Sequence, residues 1–406
     1  LSTLATMVVT MDFLPAATTI AQRMAGGLNS FALLAIPLFI LSGQLMAQGG
    51  IARRLIEFSK AMIGMVPGGL AFVNVISCTL FGAISGSSIA ATTAVGSFMI
   101  PEMTKEGYDR NFSAAVTVTS ATTGLLIPPS NTLIVYAVAS GGVSIAALFV
   151  AGYVPGLMIS IATLVVCAIY ARRNNMPAGE RVSARVALKY TIAALPSLFL
   201  IVLVIGGILA GIFTATEAGA IAVLYALLLS AVVYREIDLA DIASICLKAA
   251  QTTAVVMFLI AASIAMSWIL AYQNIPALVA EALVGVSDNP IVILLLINIV
   301  LLLVGIFMDM TPAVLIFTPI LLPVAIELGM SPLHFGIMMV LNLCIGLCTP
   351  PVGTILFVGC ALAKTTINRM VRPMIPMYAA MFVVLMLITY IPELSEGLPR
   401  FFGLID

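Results

Sequence analysis

Four short polar segments in this chain set oxygen-bearing groups beside residues that interrupt a helix. Two are turns, Ser85-Gly86-Ser87-Ser88 and Asp309-Met310-Thr311-Pro312. Two carry tandem prolines, Gly124-Leu-Leu-Ile127-Pro128-Pro129-Ser130-Asn131-Thr132 and Gly346-Leu-Cys-Thr349-Pro350-Pro351-Val-Gly353-Thr354. Hydroxyls, an amide oxygen, a carboxylate and carbonyls freed by proline are hard oxygen ligands of the kind sodium accepts. Half-helices starting at Ser88 and Thr311 would aim free N–H groups and positive dipole ends at an anionic substrate. The chemistry suggested is reversible binding. Sodium ligands are expected among Ser85, Ser87, Ser88, Gly124, Ile127, Pro128, Asn131 and Thr132 in the first half. Their second-half counterparts are Asp309, Thr311, Gly346, Thr349, Pro350 and Thr354. Substrate contacts are expected at Ser87, Ser88, Ser130, Asp309 and Gly353. The same groups can instead serve packing and back-bonding to carbonyls, and Asp309 can cap the helix that follows it.

The surrounding sequence is suited to hydrocarbon. Of 406 residues, 62% are hydrophobic and 8% charged, where soluble domains carry about a quarter charged. The 17 basic and 17 acidic residues cancel, which argues against a nucleic-acid partner. Stretches 197–213, 253–271 and 291–307 hold no charge. Spans are expected at 1–21, 30–48, 112–140, 144–171, 191–213, 216–234, 249–271, 334–363 and 373–391. Two regions, 68–101 and 290–323, fold back at the polar turns; their second legs, Ser88–Ile100 and Thr311–Leu322, number 13 and 12 residues. As helices these reach only about 20 Å of a ~30 Å core, so re-entrant hairpins are expected. Tandem prolines should break spans 112–140 and 334–363, and broken backbone at membrane depth needs protein or a polar cavity around it. Segments 50–66 and 273–289 are too polar to span and read as interfacial arms.

The six cysteines lack a metal-binding pattern and read as packing residues. Gln44 and Asn74 are expected to hydrogen-bond between helices. The chain opens at Leu1 inside an apolar run, without the basic n-region of a signal peptide, and reads as part of a longer sequence. The single histidine, His334, leaves little room for an intramembrane serine hydrolase built on Ser85 or Ser87, which would need a base in reach. An ion channel is the nearer alternative.

A shift of 222 residues superimposes the two halves without a gap: Pro101 on Pro323, Gly107 on Gly329, Gly124 on Gly346, Pro128-Pro129 on Pro350-Pro351, Thr132 on Thr354, and Ser87 on Asp309. Basic clusters favour the cytoplasmic side. Arg53, Arg54 and Lys60; Arg172, Arg173, Arg181, Arg185 and Lys189; Arg235 and Lys248; and Lys364, Arg369 and Arg372 all fall on that side in one topology. Segment 273–289, with only Glu281 and Asp288, falls outside. The span at 191–213 thereby inverts the second copy. The expected organisation is a first repeat at 1–171, a basic loop and connecting span at 172–213, and a second, inverted repeat at 214–406. Inverted repeats with discontinuous helices are a recurrent plan of secondary transporters.

The runs Ile36-Pro-Leu-Phe-Ile-Leu-Ser-Gly43, Phe81-Gly-Ala-Ile-Ser-Gly-Ser-Ser88 and Gly124-Leu-Leu-Ile-Pro-Pro-Ser-Asn-Thr132 resemble the large membrane subunit of TRAP transporters, along essentially the whole chain. The resemblance implies an all-α polytopic fold that works as an elevator, and a bacterial inner-membrane location. It implies two partners, a small four-helix membrane subunit and an extracytoplasmic substrate-binding protein, and a small organic acid as cargo. No organic cofactor is implied; sodium is the coupling ion. Family ion sites formed at hairpin tips and broken helices map to Ser85–Ser88 with Gly124–Thr132, and to Asp309–Thr311 with Gly346–Thr354. Sialic acid is the leading expected substrate, then a C4-dicarboxylate; a stand-alone carboxylate symporter is the variant plan. The N-terminus departs from the family pattern by being shorter, and some members fuse the small subunit there.

Overall fold

The computed structural model describes residues 2–405 except 177, 180, 181 and 288, so Arg181 and Asp288 lie outside the described residues. Among the described residues it is helical and without named strands. The first elements are α1 (Ser2–Thr10), α2 (Phe13–Leu28), α3 (Ala35–Gln48) and the amphipathic α4 (Ile51–Ile63). A hairpin follows, α5 (Gly69–Ser85) and α6 (Ser88–Lys105), then a broken pair, α7 (Arg110–Ala121) and α8 (Asn131–Ala139), and α9 (Ile145–Arg173). Next come α10 (Ala184–Leu209), α11 (Ala215–Leu227) with a π-helical extension to Val233, and α12 (Leu239–Tyr272). The pattern then recurs as α13 (Ile275–Val284), hairpin α14 (Pro290–Phe307) and α15 (Met310–Glu327), and broken pair α16 (Pro332–Leu347) and α17 (Thr354–Ala363). Two helices close the chain, α18 (Ile367–Tyr390) and α19 (Glu393–Phe401). Among the described residues, eight helices are long and apolar enough to cross a membrane.

Four details differ from the sequence expectations. The stretch at 1–21 is not one span: the chain leaves the helix at Met11 and Asp12, and α2 runs on to Leu28. The second hairpin legs have 18 residues each, not 13 and 12, because Pro101, Pro319 and Pro323 sit inside their helices. Each proline removes a single donor from a helix held by its neighbours, which a packed membrane helix tolerates. Legs of about 27 Å no longer prove re-entry by length. Helix α12 starts at Leu239, ten residues before the expected span, and at 34 residues it outreaches the hydrocarbon core. Finally, α19 was unforeseen; it seats Ser395 against the His334 ring, Nδ1 to Oγ 2.5 Å, at the start of α16.

Packing fixes the depth of the hairpin tips. Each broken helix lies against the first leg of its own hairpin through paired glycines. A Cβ on Gly124 would stand 2.6 Å from Gly82 Cα, and one on Gly346 would stand 2.5 Å from Gly305 Cα. Beyond the breaks the partners exchange: α8 packs along α15, and α17 along α6. Each short half-helix is thus covered by the hairpin of the other repeat. The first tip stops at the break, where Gly86, at φ +61°, leaves no room for a side chain beside the Pro129 carbonyl. Since α8 continues for nine residues, about 13 Å past the break, the tip ends inside the bilayer and the hairpin re-enters.

The basic segments knit together at one end. Arg54 of α4 lies over the Tyr234 ring at 3.7 Å and reaches Glu236 at 3.4 Å. Lys60 pairs with Glu102 of α6, Pro67 bridges to Ala178, and Thr365 donates to Asn111 at 2.5 Å. The second arm lacks these fastenings, since positions 276 and 282, equivalent to 54 and 60, are Pro276 and Ala282. It packs on α15 instead.

Substitution of Gly124 by Leu should separate the broken helix from α5, lowering stability by about 1–3 kcal/mol and removing any activity that depends on the break. Gly206→Ala, in open space on α10, should be neutral or stabilising by about 0.5–1 kcal/mol. Thermal unfolding of both variants in detergent tests the pair; equal midpoints would refute the close-contact role of Gly124.

Candidate functional site

Both hairpin tips and both helix breaks open onto one cavity of about 200 Å³. Helices α6, α8, α15 and α17 all begin at its wall, with Ser88, Asn131, Met310 and Thr354 as their first residues. Two such N-termini follow from the sequence; four are present. Each brings N–H groups without intrahelical partners and the positive end of a helix dipole.

The first tip is organised by Ser87, the N-cap of α6, whose Oγ accepts from the Ala90 N–H at 3.3 Å. The Ser85 hydroxyl donates to the Ser87 carbonyl at 3.4 Å. Ser85, Ser87 and Ser88 line the cavity, joined across the first break by Asn131 and Thr132. The Asn131 Oδ1 is buried and has no hydrogen-bond partner, although buried acceptors are nearly always satisfied. It is an oxygen available to a ligand.

The second tip is built differently. Asp309 holds the N-cap position of α15 in extended backbone, yet its carboxylate caps nothing. It accepts instead from the Thr354 hydroxyl at 3.4 Å, linking the tip of one element to the start of α17. Asp309, Thr311 and Thr354 line the cavity. Asp309 is the one ionisable side chain among the described lining residues. The arrangement joins a carboxylate and several neutral oxygens, suited to a cation, to four dipole ends, suited to an anion.

The other expected residues stand behind this wall. Gly124 and Gly346 are the close-contact glycines, and Ile127 is buried against Gly156. Pro128 and Pro350 each precede a cis peptide bond to the next proline. The Ser130 hydroxyl is spent locally, donating to the Leu125 carbonyl at 2.5 Å and accepting from the Leu133 N–H at 3.4 Å. Thr349 donates back to Ile345 at 2.7 Å. A Cβ on Gly353 would lie 2.8 Å from the Leu347 carbonyl oxygen and 2.9 Å from that of Thr349, so two unwound carbonyls converge there.

Sequence reasoning missed the facing wall. Gln44 lines the cavity with Ile36 and Ile40 of α3, and Thr252 and Val256 complete it from α12. Their spacing of four residues, 36-40-44 and 252-256, puts each set on one helix face, and a polar residue on such a face was the available signal. Asn74 does bond between helices, donating to Thr117 at 2.7 Å. His334 is bound to Ser395 and the Thr389 carbonyl and is not in the cavity wall, so Ser85 and Ser87 have no histidine base. Cys344 and Cys348 pack on α7, with Sγ 3.7 and 3.8 Å from the Thr122 and Val118 carbonyls.

Known proteins resemble this chain in sequence and in fold. Residues 1–394 match the family model described as tripartite ATP-independent periplasmic transporter, DctM component. The chain is 52% identical over 403 residues to the Salmonella typhimurium protein YgiK, covering 99% of this chain and 92% of that one. It is 42% identical over 374 residues to the Pseudomonas aeruginosa C4-dicarboxylate TRAP transporter large permease protein DctM, covering 92% and 87%. The solved structure of the Alcanivorax borkumensis YdaH transporter has the same fold, with TM-score 0.65, 14% identity, and 96% and 90% of the two chains covered. With residues 1–394 matched, this multi-pass membrane chain belongs to the DctM component family of the tripartite ATP-independent periplasmic transporters.

Proposed function

We propose that the chain moves a small organic anion into the cell together with sodium, and that the cavity holds both. The observation that carries this reading is the meeting of two hairpin tips and two helix breaks at one cavity, with Asp309 as its charged residue. Sodium takes carboxylate, amide, hydroxyl and carbonyl oxygens. The unpartnered Asn131 Oδ1 and the Asp309 carboxylate supply such oxygens in the two repeats. The anion takes the N-termini of the half-helices and the serines at the first tip.

Motion follows from the division of the wall. Hairpins and broken helices form one side; α3 and α12 form the other. In the proposed elevator cycle the first group slides against the second and carries the cavity across the bilayer. The arms α4 and α13, each packed on a hairpin, serve as flexible links. The partners in this reading are a small four-helix membrane subunit and an extracytoplasmic protein that delivers the substrate. A C4-dicarboxylate, as named for the Pseudomonas relative, and sialic acid are the two substrates to compare first.

Reconstituted with its partner subunits, the chain should take up labelled succinate or sialic acid only under an inward sodium gradient, with saturation. Steady ion current without saturation would instead support a channel. Asp309→Asn should reduce sodium-driven uptake to background, while Thr354→Val, which removes a cavity-lining hydroxyl that donates to Asp309, should raise the half-saturating sodium concentration roughly 10-fold. Wild-type uptake and sodium dependence in both variants would remove Asp309 from the mechanism.

A further inference from the structure

On the outer face of the bundle, away from the cavity, lies an apolar groove with a cationic mouth. It has a volume of about 180 Å³ and runs between α7, α9 and α18. From α9 it takes Val166, Ile169, Tyr170 and Arg173, and from α18 Pro373 and Pro376. Phe112 of α7 forms the floor, stacked on Tyr170 with ring centroids 3.4 Å apart.

The two sides follow one plan. Val166, Ile169, Tyr170 and Arg173 recur at i, i+3, i+4 and i+7, which is a single helix face. Arg369, Arg372, Pro373 and Pro376 recur at the same spacing on α18. On α9 the arginine ends the helix; on α18 the arginines begin it. Both stripes therefore run from basic at the surface to apolar at depth. All three arginines are exposed, and none forms an ion pair among the described residues. The Asp109 carboxylate caps α7, accepting from the Phe112 N–H at 2.8 Å, and forms no ion pair with these arginines.

We infer that this groove binds one anionic phospholipid of the leaflet on the basic side. The three guanidinium groups hold the headgroup phosphate by charge-assisted hydrogen bonds, and an acyl chain lies along Val166, Ile169 and Pro376. A zwitterionic lipid offers the same chain but cancels its phosphate with its own cation, so charge complementarity selects the anionic lipid. The lipid rests on Phe112 and so buttresses α7, the first half of a broken helix that lines the cavity.

Native mass spectrometry of the detergent-extracted chain, titrated with phosphatidylglycerol and phosphatidylcholine of identical acyl chains, tests the inference. The wild type should retain phosphatidylglycerol selectively. R173Q/R369Q/R372Q should lose that selectivity, by roughly fivefold for each arginine removed. R53Q/R235Q, which removes basic residues elsewhere on the same side, should keep it. Ile169→Trp keeps every charge but fills the groove, and should expel the bound lipid, which separates a built site from diffuse surface attraction. Equal retention of the two lipids by the wild type, or undiminished selectivity in the triple arginine variant or in Ile169→Trp, would overturn the proposal. So would a lipid-free dimer of this chain that Ile169→Trp dissociates, since the groove would then be a protein interface.

Discussion

Peptide groups that leave a helix inside hydrocarbon must be covered, because no water is there to bond them. This constraint shapes the whole molecule. Two helices are broken by tandem prolines, and each break survives only because protein surrounds it. The cover is close backbone, made possible by Gly82 against Gly124 and Gly305 against Gly346. Larger residues at these four positions would hold the hairpins away and leave the breaks bare. The exchange beyond the breaks, α8 with α15 and α17 with α6, then makes each repeat unable to complete itself. The duplicated halves are one folding problem.

The same constraint locates function. Once covered by protein on most sides, a break has polar groups left over only where a cavity faces it. Four helices begin there, and their free N–H groups and dipole ends converge without any basic side chain in the wall. A single carboxylate sits among them. In the proposed cycle, backbone dipoles that attract an anion and a carboxylate that attracts a cation would favour the two together over either alone, a basis for coupled transport.

Much of this was legible before any coordinates. Proline and glycine positions are conformational instructions that apolar context does not blur, so the two breaks, the two tips and the 222-residue repeat were readable. Ser85, Ser87, Asn131, Thr132, Asp309 and Thr354 could be picked because they flank those interruptions. Gln44 and Thr252 carried a weaker signal, a polar residue on one face, because α3 and α12 run unbroken past the cavity. Ser130 and Thr349 have the right chemistry but satisfy their own backbone instead, a choice made by local geometry. The second legs run on through Pro101 and Pro323, just past the expected ends at Ile100 and Leu322, because neighbours hold these helices through proline. The break inside 1–21 falls at Asp12, a charged residue in an apolar run.

The arms differ in what holds them. One is tied by Arg54 and Lys60 to Glu236 and Glu102 through partly exposed pairs, whereas the other, with Pro276 and Ala282 at those places, has no ion pair among its described residues and packs on α15. Mobile ions weaken the first kind of bond and barely touch the second. The two surfaces of the bilayer therefore speak to this protein in different languages: electrolyte on one side, the order and thickness of the lipid on the other.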